Sequence, residues 1–410
     1  MSRNQLIQKA YNFGIFCFLV LISIGYIATT NDSRQLILIC RSVSAAGVLA
    51  AIALSFMIKG VTKAQFYPIV IYFLLMIWGV GLSNFYSVAT LDTSILGMNL
   101  LVTLSGLLLI GSRPGPEILE NRMASGYALY VVIGLAITIF IGGIEFGFPP
   151  RFVLDYVSDS AGYVMSYSQA MSQFFGYGAV ASIFAAQKTS SYFRKSLYIF
   201  VTVLCLCFSL LGGARGDSLA AIFVVFVFAL TIKEWRAYLF ILTIAVIVLV
   251  STLNFTWMSD IVIFQRLAVL GNGDLGERDI LLSQAFDLLI ARPHCLTMGC
   301  GIEYFQKFYG YGRGLYPHNF IVEFVITYGL GVFVAGVVLS TMGAWRYYNR
   351  VGRLDFFMWL FIYAFLCDMK SGALFDGWLV AVTLLYFAGL GLSSKRKFEN
   401  SRQIALTGSE

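Results

Sequence analysis

Residues 319–342 read NFIVEFVITYGLGVFVAGVVLSTM, and the character of this run sets the class of protein. Glu323 is its only charged residue, and roughly 20 consecutive, mainly apolar residues are enough for a helix to cross a membrane. Across all 410 residues, 59% are hydrophobic and 12% are charged. No soluble domain of this length hides so much apolar surface, so the sequence predicts an all-α, polytopic integral membrane protein.

Similar apolar stretches recur along the chain and predict about 12 transmembrane helices. The predicted spans are 11–30, 35–57, 64–83, 94–112, 124–144, 170–187, 196–214, 218–232, 237–253, 319–342, 354–370 and 378–394. Because the number is even, both termini are expected on the same side of the membrane. We interpret the first apolar stretch as an uncleaved helix, since it lacks a small-residue cleavage site and further spans follow.

The distribution of basic residues predicts the orientation. With both termini in the cytoplasm, 18 of the 28 Lys and Arg residues lie in inner loops or tails, as the positive-inside rule expects. The net charge of +7 is thus a sign of topology, and no basic-aromatic pattern indicates nucleic-acid binding.

Three regions follow from this topology. Residues 1–253 hold transmembrane helices one to nine, 254–318 form a large periplasmic loop, and 319–410 hold the last three spans and a cytoplasmic tail. Within the loop, 278–291 has helical apolar spacing and predicts a short amphipathic helix. The loop is too short and too rich in glycine for an independent domain, so we expect it to line or cover a site.

His318 stands in the run PHNFIVEFVITYGLG, where the polar loop meets a hydrophobic helix. A titratable imidazole at a membrane surface is well placed to take a proton from a substrate that is half lipid and half polar. The alternative is an interfacial histidine that only anchors a helix end.

Several arginines share the predicted outer face with His318. Arg215, in GGARGDS, has glycines on both sides that allow a ligand to approach the backbone; alternatively it snorkels, and Asp217 caps the next helix. Arg278, in GERD, begins the loop helix or is a surface charge. The weaker candidates are Arg151 (after two prolines), Arg266 and Arg313. Together these cations suit a phosphate-bearing ligand at the membrane.

The cysteines and the remaining charged residues are less informative about function. Cys295 and Cys300 lie in the same outer loop, where an oxidising compartment could join them. His294 beside Cys295 would complete a poor set of metal ligands without carboxylate support, so no metal is expected. Three further charges lie in and before MKSGALFDGW, on the same predicted side as His318: Asp368, Lys370 and Asp376. We interpret them as loop charges; the alternative is that they line the same site.

The order of these motifs resembles the O-antigen polymerase and ligase superfamily, the Wzy and WaaL families. The resemblance rests on LLGGARGDSLA at the end of one span, ERDILLSQAFDLLIARPHCLTMGCGIEYF in the loop, and PHNFIVEFVITYGLG at its close. It covers about 196–342 by motif and the N-terminal half by topology alone. Ala214 stands where serine is frequent in the family, and Gly329 with Gly331 is spaced more tightly than in some relatives.

The resemblance implies a GT-C-like, metal-independent, inverting glycosyltransferase without a cofactor, acting on the periplasmic side of the bacterial inner membrane. Its donor would be an undecaprenyl-pyrophosphate-linked oligosaccharide. By the same resemblance, His318 is the general base, Arg215 and Arg278 hold the pyrophosphate, Asn319 orders the junction, and Glu323 orients the imidazole.

Two acceptors remain open under this resemblance. An O-antigen polymerase uses another lipid-linked repeat unit, with a chain-length regulator as a partner, and a ligase uses lipid A-core; the PHN run and the moderate loop favour the polymerase. A flippase for lipid-linked oligosaccharide would carry charges through both halves, whereas the first six spans are nearly charge-free apart from Arg41. A purely structural role is the remaining alternative.

Overall fold

The computed structural model describes residues 3–23, 33–59, 63–86, 93–111, 120–140, 144–145, 151–152, 169–211, 214–231, 277–312, 315–352, 354–371 and 378–392. The first eight helices are α1 (Arg3–Ser23), α2 (Ser33–Lys59), α3 (Lys63–Phe85), α4 (Thr93–Gly111), α5 (Glu120–Phe140), α6 (Gln169–Lys188), α7 (Tyr192–Leu211) and α8 (Arg215–Leu230). Then follow α9 (Glu277–Ala291), α10 (Pro293–Thr297), α11 (Tyr304–Tyr309), α12 (Phe320–Tyr328), α13 (Leu330–Val351), α14 (Phe356–Ser371) and α15 (Trp378–Leu392). Between α5 and α6, β1 (Ile144–Glu145) pairs antiparallel with β2 (Arg151–Phe152).

The prediction of an all-α protein is confirmed for the described residues, whereas the predicted number and arrangement of membrane spans are not. The predicted spans overlap α1–α8 and α13–α15, while 237–253 lies outside the described residues. By length and composition, three described helices are able to cross a membrane, at Gln65–Phe85, Tyr192–Leu211 and Leu330–Asn349, and six shorter helices are also apolar. The structure is therefore compatible with a multi-pass membrane protein. The number of twelve spans and the GT-C-like arrangement stay predictions.

One continuous apolar core joins most of these helices. The helices α6 and α7 pack along each other, α15 packs against α13, α3 and α4, and α14 contacts α6 and α8. Close approach depends on small residues: a Cβ atom on Gly176 of α6 would lie 1.9 Å from the hydroxyl oxygen of Tyr363 on α14. Elsewhere, large apolar side chains on α2, α3 and α13 face outward, as expected where lipid is the surrounding solvent.

The predicted single span 319–342 is wrong, because the helix breaks at Gly329. This residue has φ of 88° and ψ of 159°, a backbone conformation that essentially only glycine adopts. A Cβ atom there would lie 2.5 Å from the carbonyl oxygen of Thr297. With nine residues, α12 is only about 13 Å long, too short to cross the roughly 30 Å hydrocarbon core of a bilayer.

The break exposes carbonyl groups at the end of α12, and the loop after α10 satisfies them. The backbone N–H of Cys300 donates to the carbonyl of Ile326 at 2.7 Å, and that of Gly301 donates to Thr327 at 3.0 Å. A buried helix end without partners would be costly. The broken helix and the loop therefore stabilise each other.

Residues 277–312, here called the loop module, pack over α12 and the end of α3. The predicted loop helix is confirmed as α9, and its Leu281, Ala285 and Leu288 form a small buried cluster. Ile326 of α12 belongs to the same cluster, so its core is shared with the helical bundle. Side chains of α3 also contact the module: Ser83 Oγ donates to the carbonyl of Ile302 at 3.1 Å, and Trp78 Nε1 to that of Met298 at 3.2 Å.

Candidate active site

The predicted arginines are placed only in part. Arg215 is the first residue of α8, Arg278 is the second residue of α9, and Arg151 lies in β2 opposite Glu145. The side chains of these three arginines lie outside what is described, and so do Arg266 and Arg313 altogether. Their roles stay predictions, but the start of α8 fixes the backbone position of Arg215.

His318 has an unusual backbone conformation, with φ of 50°. Histidine enters this left-handed region more readily than most residues, and held strain of this kind clusters at functional sites. Its ring centroid lies 4.0 Å from that of Tyr316, with the planes inclined by 42°. The half-buried imidazole is therefore set in a defined direction immediately before α12.

Asn319 anchors this histidine to two helices. Its side-chain oxygen accepts a hydrogen bond from the backbone N–H of Val322 at 3.1 Å, which caps α12, and its Nδ2 donates to the carbonyl of Met369 at 3.2 Å. These two bonds are compatible with the expectation that Asn319 orders the loop–helix junction, which stays a prediction. Glu323 lies in the first turn of α12 and is half-buried; its proposed contact with His318 stays a prediction.

The structure adds an ion pair that sequence reasoning missed. Lys370, in the last turn of α14, donates to the Asp217 carboxylate, with Nζ 3.4 Å from Oδ2. Asp217 is completely buried, and Gln173 Nε2 approaches its other oxygen at 3.4 Å. The interpretation of Lys370 as a loop charge is wrong, and so is that of Asp217 as a helix cap, because α8 begins at Arg215 after Ala214. Asp368 is a half-buried residue of α14, and Asp376 lies outside the described residues.

Gly216 makes room for the lysine. A Cβ atom at this position would lie 2.0 Å from Cδ and 2.7 Å from Nζ of Lys370. The aliphatic part of the lysine therefore packs directly on the backbone of the first turn of α8, as long cationic side chains do when their charged end reaches water. About a third of the Lys370 side chain, 31%, remains exposed beside this turn.

A network of buried serines holds the turn that carries Arg215. Ser172 Oγ donates to the carbonyl of Ser209 at 2.9 Å, and Ser209 Oγ returns a bond of equal length to the carbonyl of Ser172. Ser218 Oγ donates to Ser209 at 2.7 Å, and the backbone N–H of Ala214 donates to Ser172 Oγ at 3.3 Å. Because buried polar groups are costly unless they are bonded, this network fixes α6, α7 and the start of α8 as one unit.

Three distant segments therefore meet at one end of the bundle. Asn319 binds the carbonyl of Met369, the next residue Lys370 binds Asp217, and Asp217 stands two residues after Arg215. The backbone beside an imidazole and a partly exposed cation are thus linked to the start of α8. Such a set can receive an anionic group on the cation and a proton on the imidazole.

The loop module contains a disulfide between Cys295 and Cys300. The ligand atoms of His294, Cys295 and Cys300 lie within 4.8 Å of one another, but thiolates are the species that bind metal, and here the two sulfur atoms bind each other. The His294 ring instead stacks on Tyr86, with centroids 5.1 Å apart. In this form the cluster is a structural element of the module.

Gln284 of α9 ties the two sides of the loop module together. Tyr309 donates to its backbone carbonyl at 2.8 Å, and Tyr311 donates to its side-chain oxygen at 3.0 Å. Desolvation raises the pKa of the Tyr309 hydroxyl, and the neighbouring Asp287 and Tyr311 raise it further. The raised pKa favours the neutral phenol, which is the form that donates this hydrogen bond, over a wider alkaline range than in an ordinary tyrosine.

Comparison with known proteins adds no assignment to this geometry: the sequence matches no protein-family model and no curated protein sequence.

Proposed function

We propose that this chain is an O-antigen polymerase that joins undecaprenyl-pyrophosphate-linked oligosaccharide repeat units at the periplasmic face of the inner membrane. One observation carries the proposal: the Asn319–Met369 bond and the Lys370–Asp217 ion pair link His318 to the first turn of α8. This link supports the proposal for two of the residues that the family resemblance implies, because it connects the backbone next to His318 with the turn that carries Arg215.

The proposed reaction is a single displacement. The acceptor hydroxyl attacks the anomeric carbon of the donor, its proton passes to the His318 imidazole, and the bond from that carbon to the pyrophosphate oxygen breaks. Undecaprenyl pyrophosphate leaves, and the configuration at the anomeric carbon inverts. Arg215, Arg278 and, as the structure suggests, Lys370 stabilise the charge on the leaving group.

The remaining predicted residues have supporting roles in this proposal. Asn319 positions His318, and Glu323 would orient its imidazole. Arg151, Arg266 and Arg313 would contact the phosphate or glycan from the loops. No metal or cofactor enters the scheme, because arginine and lysine supply the positive charge.

Two features support the proposed location. The Cys295–Cys300 disulfide is typical of an oxidising compartment such as the periplasm, and the loop module that carries it packs on α12, the helix that begins two residues after His318. The distribution of Lys and Arg favours cytoplasmic termini and thus a periplasmic site.

The test compares surface glycan on a gel from cells with the gene, without it, and with His318→Ala. We expect deletion and His318→Ala to leave lipid A-core bearing a single repeat unit. The matched control is His294→Ala, the other histidine of the chain, which should preserve the ladder because its ring packs on Tyr86.

Two results would change the conclusion. Loss of even the single-repeat band, with accumulation of lipid-linked polymer, would identify the chain as a ligase, which uses the same donor on a different acceptor. An unchanged ladder in His318→Ala, with the protein present in the membrane, would refute the shared mechanism.

A further inference from the structure

Residues 297–299 of the loop module lie between α3 and α13, which both contain an apolar stretch long enough to cross a membrane. On one side, Trp78 Nε1 of α3 donates to the carbonyl of Met298 at 3.2 Å. On the other side, the segment packs closely on Gly329, where a Cβ atom would lie 2.5 Å from the carbonyl oxygen of Thr297. The segment is therefore held at one height along both helices.

The two apolar stretches give an estimate of that height. The stretch Leu330–Asn349 has 20 residues and is about 30 Å long, which equals the hydrocarbon thickness of a typical bilayer. It begins directly after Gly329, so this contact lies near the edge of the hydrocarbon region. In α3, Trp78 stands seven residues before the end of the stretch Gln65–Phe85, about 10 Å inside that end. The segment thus lies level with the outer part of the hydrocarbon, not above it.

The side chains exposed at this height are apolar. Met298 is 64% exposed, and Leu296, in α10, is exposed as well. A single exposed apolar residue is ordinary on a soluble surface. Here, however, Trp78 on α3 and Leu330 on α13 are also exposed beside the segment, so all three elements present apolar groups at the same height.

Further along α3, the same module presents cations. Lys307 Nζ donates to the carbonyl of Tyr86, which is eight residues beyond Trp78 and therefore about 12 Å further out. The exposed Arg292 has its guanidinium carbon 5.8 Å from the ring centre of Phe308, the residue after Lys307. The module thus changes from apolar to cationic in the outward direction. This is the order of residues across a membrane boundary, and binding of another protein would not require it.

We infer that the loop module is partly inserted in the lipid leaflet at this end of α3 and α13. Leu296 and Met298 contact the acyl chains, and Arg292 and Lys307 lie at the level of the headgroups. The inference needs only that α3 and α13 cross the membrane and does not rest on the proposed activity. Because the backbone N–H of Cys300 also binds the end of α12, lipid contact fixes the height of α12 as well.

The first experiment compares Met298→Cys with the matched control Lys307→Cys, each purified in phospholipid nanodiscs. Both react with a negatively charged maleimide, and the unsubstituted protein gives the background from its other thiols. We expect Met298→Cys to react at least about tenfold more slowly, because a charged reagent has to enter hydrocarbon to reach it. Thermal unfolding checks that both variants are folded.

The second experiment uses the unsubstituted protein, so it does not depend on the folding of a variant. A phosphatidylcholine with a diazirine in the middle of its acyl chain is photolysed in the nanodisc, and the labelled residues are identified by peptide mass spectrometry. We expect label on Leu296 and Met298 at a level similar to that on Leu74 and Ile77, which face outward from α3, and little on Lys307.

Equal maleimide rates at the two positions, or absence of lipid label from residues 296–298, would overturn the inference and show that this surface meets water or another protein. Neither measurement uses polymer formation. An unchanged glycan ladder in His318→Ala would therefore refute the proposed catalytic function and leave the inserted module standing.

Discussion

A completely buried carboxylate lies at each end of α14, and the two have different hydrogen-bond and ion-pair partners. Asp355, just before the helix, accepts from the backbone N–H of Met358 at 2.9 Å and from the hydroxyl of Tyr347. Asp217 reaches the other end from α8, 153 residues away along the chain, and pairs with Lys370. The described bonds of the first carboxylate include two nearby neutral donors, and the second carboxylate pairs with a cation that is still partly exposed.

Burial of a carboxylate alone therefore does not mark a functional site. Asp355 has the geometry of a helix N-cap, which stabilises the helix locally. Asp217 instead holds a lysine at the surface of the candidate site, although an ion pair with a buried partner contributes little net stability. We expect changes at the Asp355 end to affect folding, and changes at the Asp217 end to affect catalysis as well.

The largest effect is expected for Lys370→Met. It leaves the Asp217 carboxylate buried without its cation, which costs on the order of 3 kcal/mol of unfolding free energy, and it removes a proposed pyrophosphate ligand. Thermal unfolding in detergent and the glycan gel measure the two consequences. Lys370→Met combined with Asp217→Asn should restore much of the stability without restoring polymer; a normal ladder would show that the pair is only structural.

Asp355→Ala tests the other end of α14. Loss of the cap costs about 1 kcal/mol, and the Tyr347 hydroxyl left buried adds roughly 1 kcal/mol or more. The thermal midpoint should fall while polymer formed per folded molecule stays the same. Asp355→Asn keeps an acceptor oxygen and should lie closer to the original protein. A specific loss of activity in Asp355→Ala would remove the distinction between the ends.

The two hydrogen bonds of the Asn319 side chain, to Val322 and to Met369, can be tested separately by substitution. Asn319→Ser keeps a capping oxygen for α12 but is too short to reach the carbonyl of Met369, whereas Asn319→Ala loses both and about 1 kcal/mol of capping. We expect both variants to lose most of their polymer, and Asn319→Ala to lose more stability than Asn319→Ser because it also loses the cap. Full activity in Asn319→Ser would mean that the link to α14 does not position His318.

The smallest effect is expected in the loop module, away from both ends of α14. Tyr309→Phe removes one hydrogen bond to Gln284, worth about 1 kcal/mol, and should preserve the glycan ladder. Because folding raises the pKa of Tyr309, its contribution is fully present below the ordinary tyrosine pKa and is lost as pH rises through the raised value. The stability difference between the two proteins, measured by unfolding at increasing alkaline pH, should therefore shrink.

Candidate site residues could be proposed from the sequence where they stand in a short, recognisable motif. His318, Asn319 and Arg215 stand in short runs with glycine, proline or charge next to an apolar helix, and these signals are readable in order along the chain. Lys370 was interpreted as a loop charge, with a position in the site as the alternative, because nothing nearby in sequence indicates that Asp217 is its partner. The glycines beside Arg215 predicted that a ligand could approach the backbone. They did not predict that the Lys370 side chain packs against Gly216, which has no side chain of its own.

The sequence by itself determined the helical class, the positions of most described helices and the presence of a helix at 278–291, because apolar composition and periodicity act over neighbouring residues. The tertiary structure alone decided the break at Gly329, the height of the loop module along α3 and the Lys370–Asp217 pair. Each of these depends on atoms that come together from distant segments: the loop carbonyl at Thr297, the bond from Trp78 to Met298, and a cation 153 residues from its carboxylate. The local sequence pattern does not predict these contacts, because they form only when the helices pack.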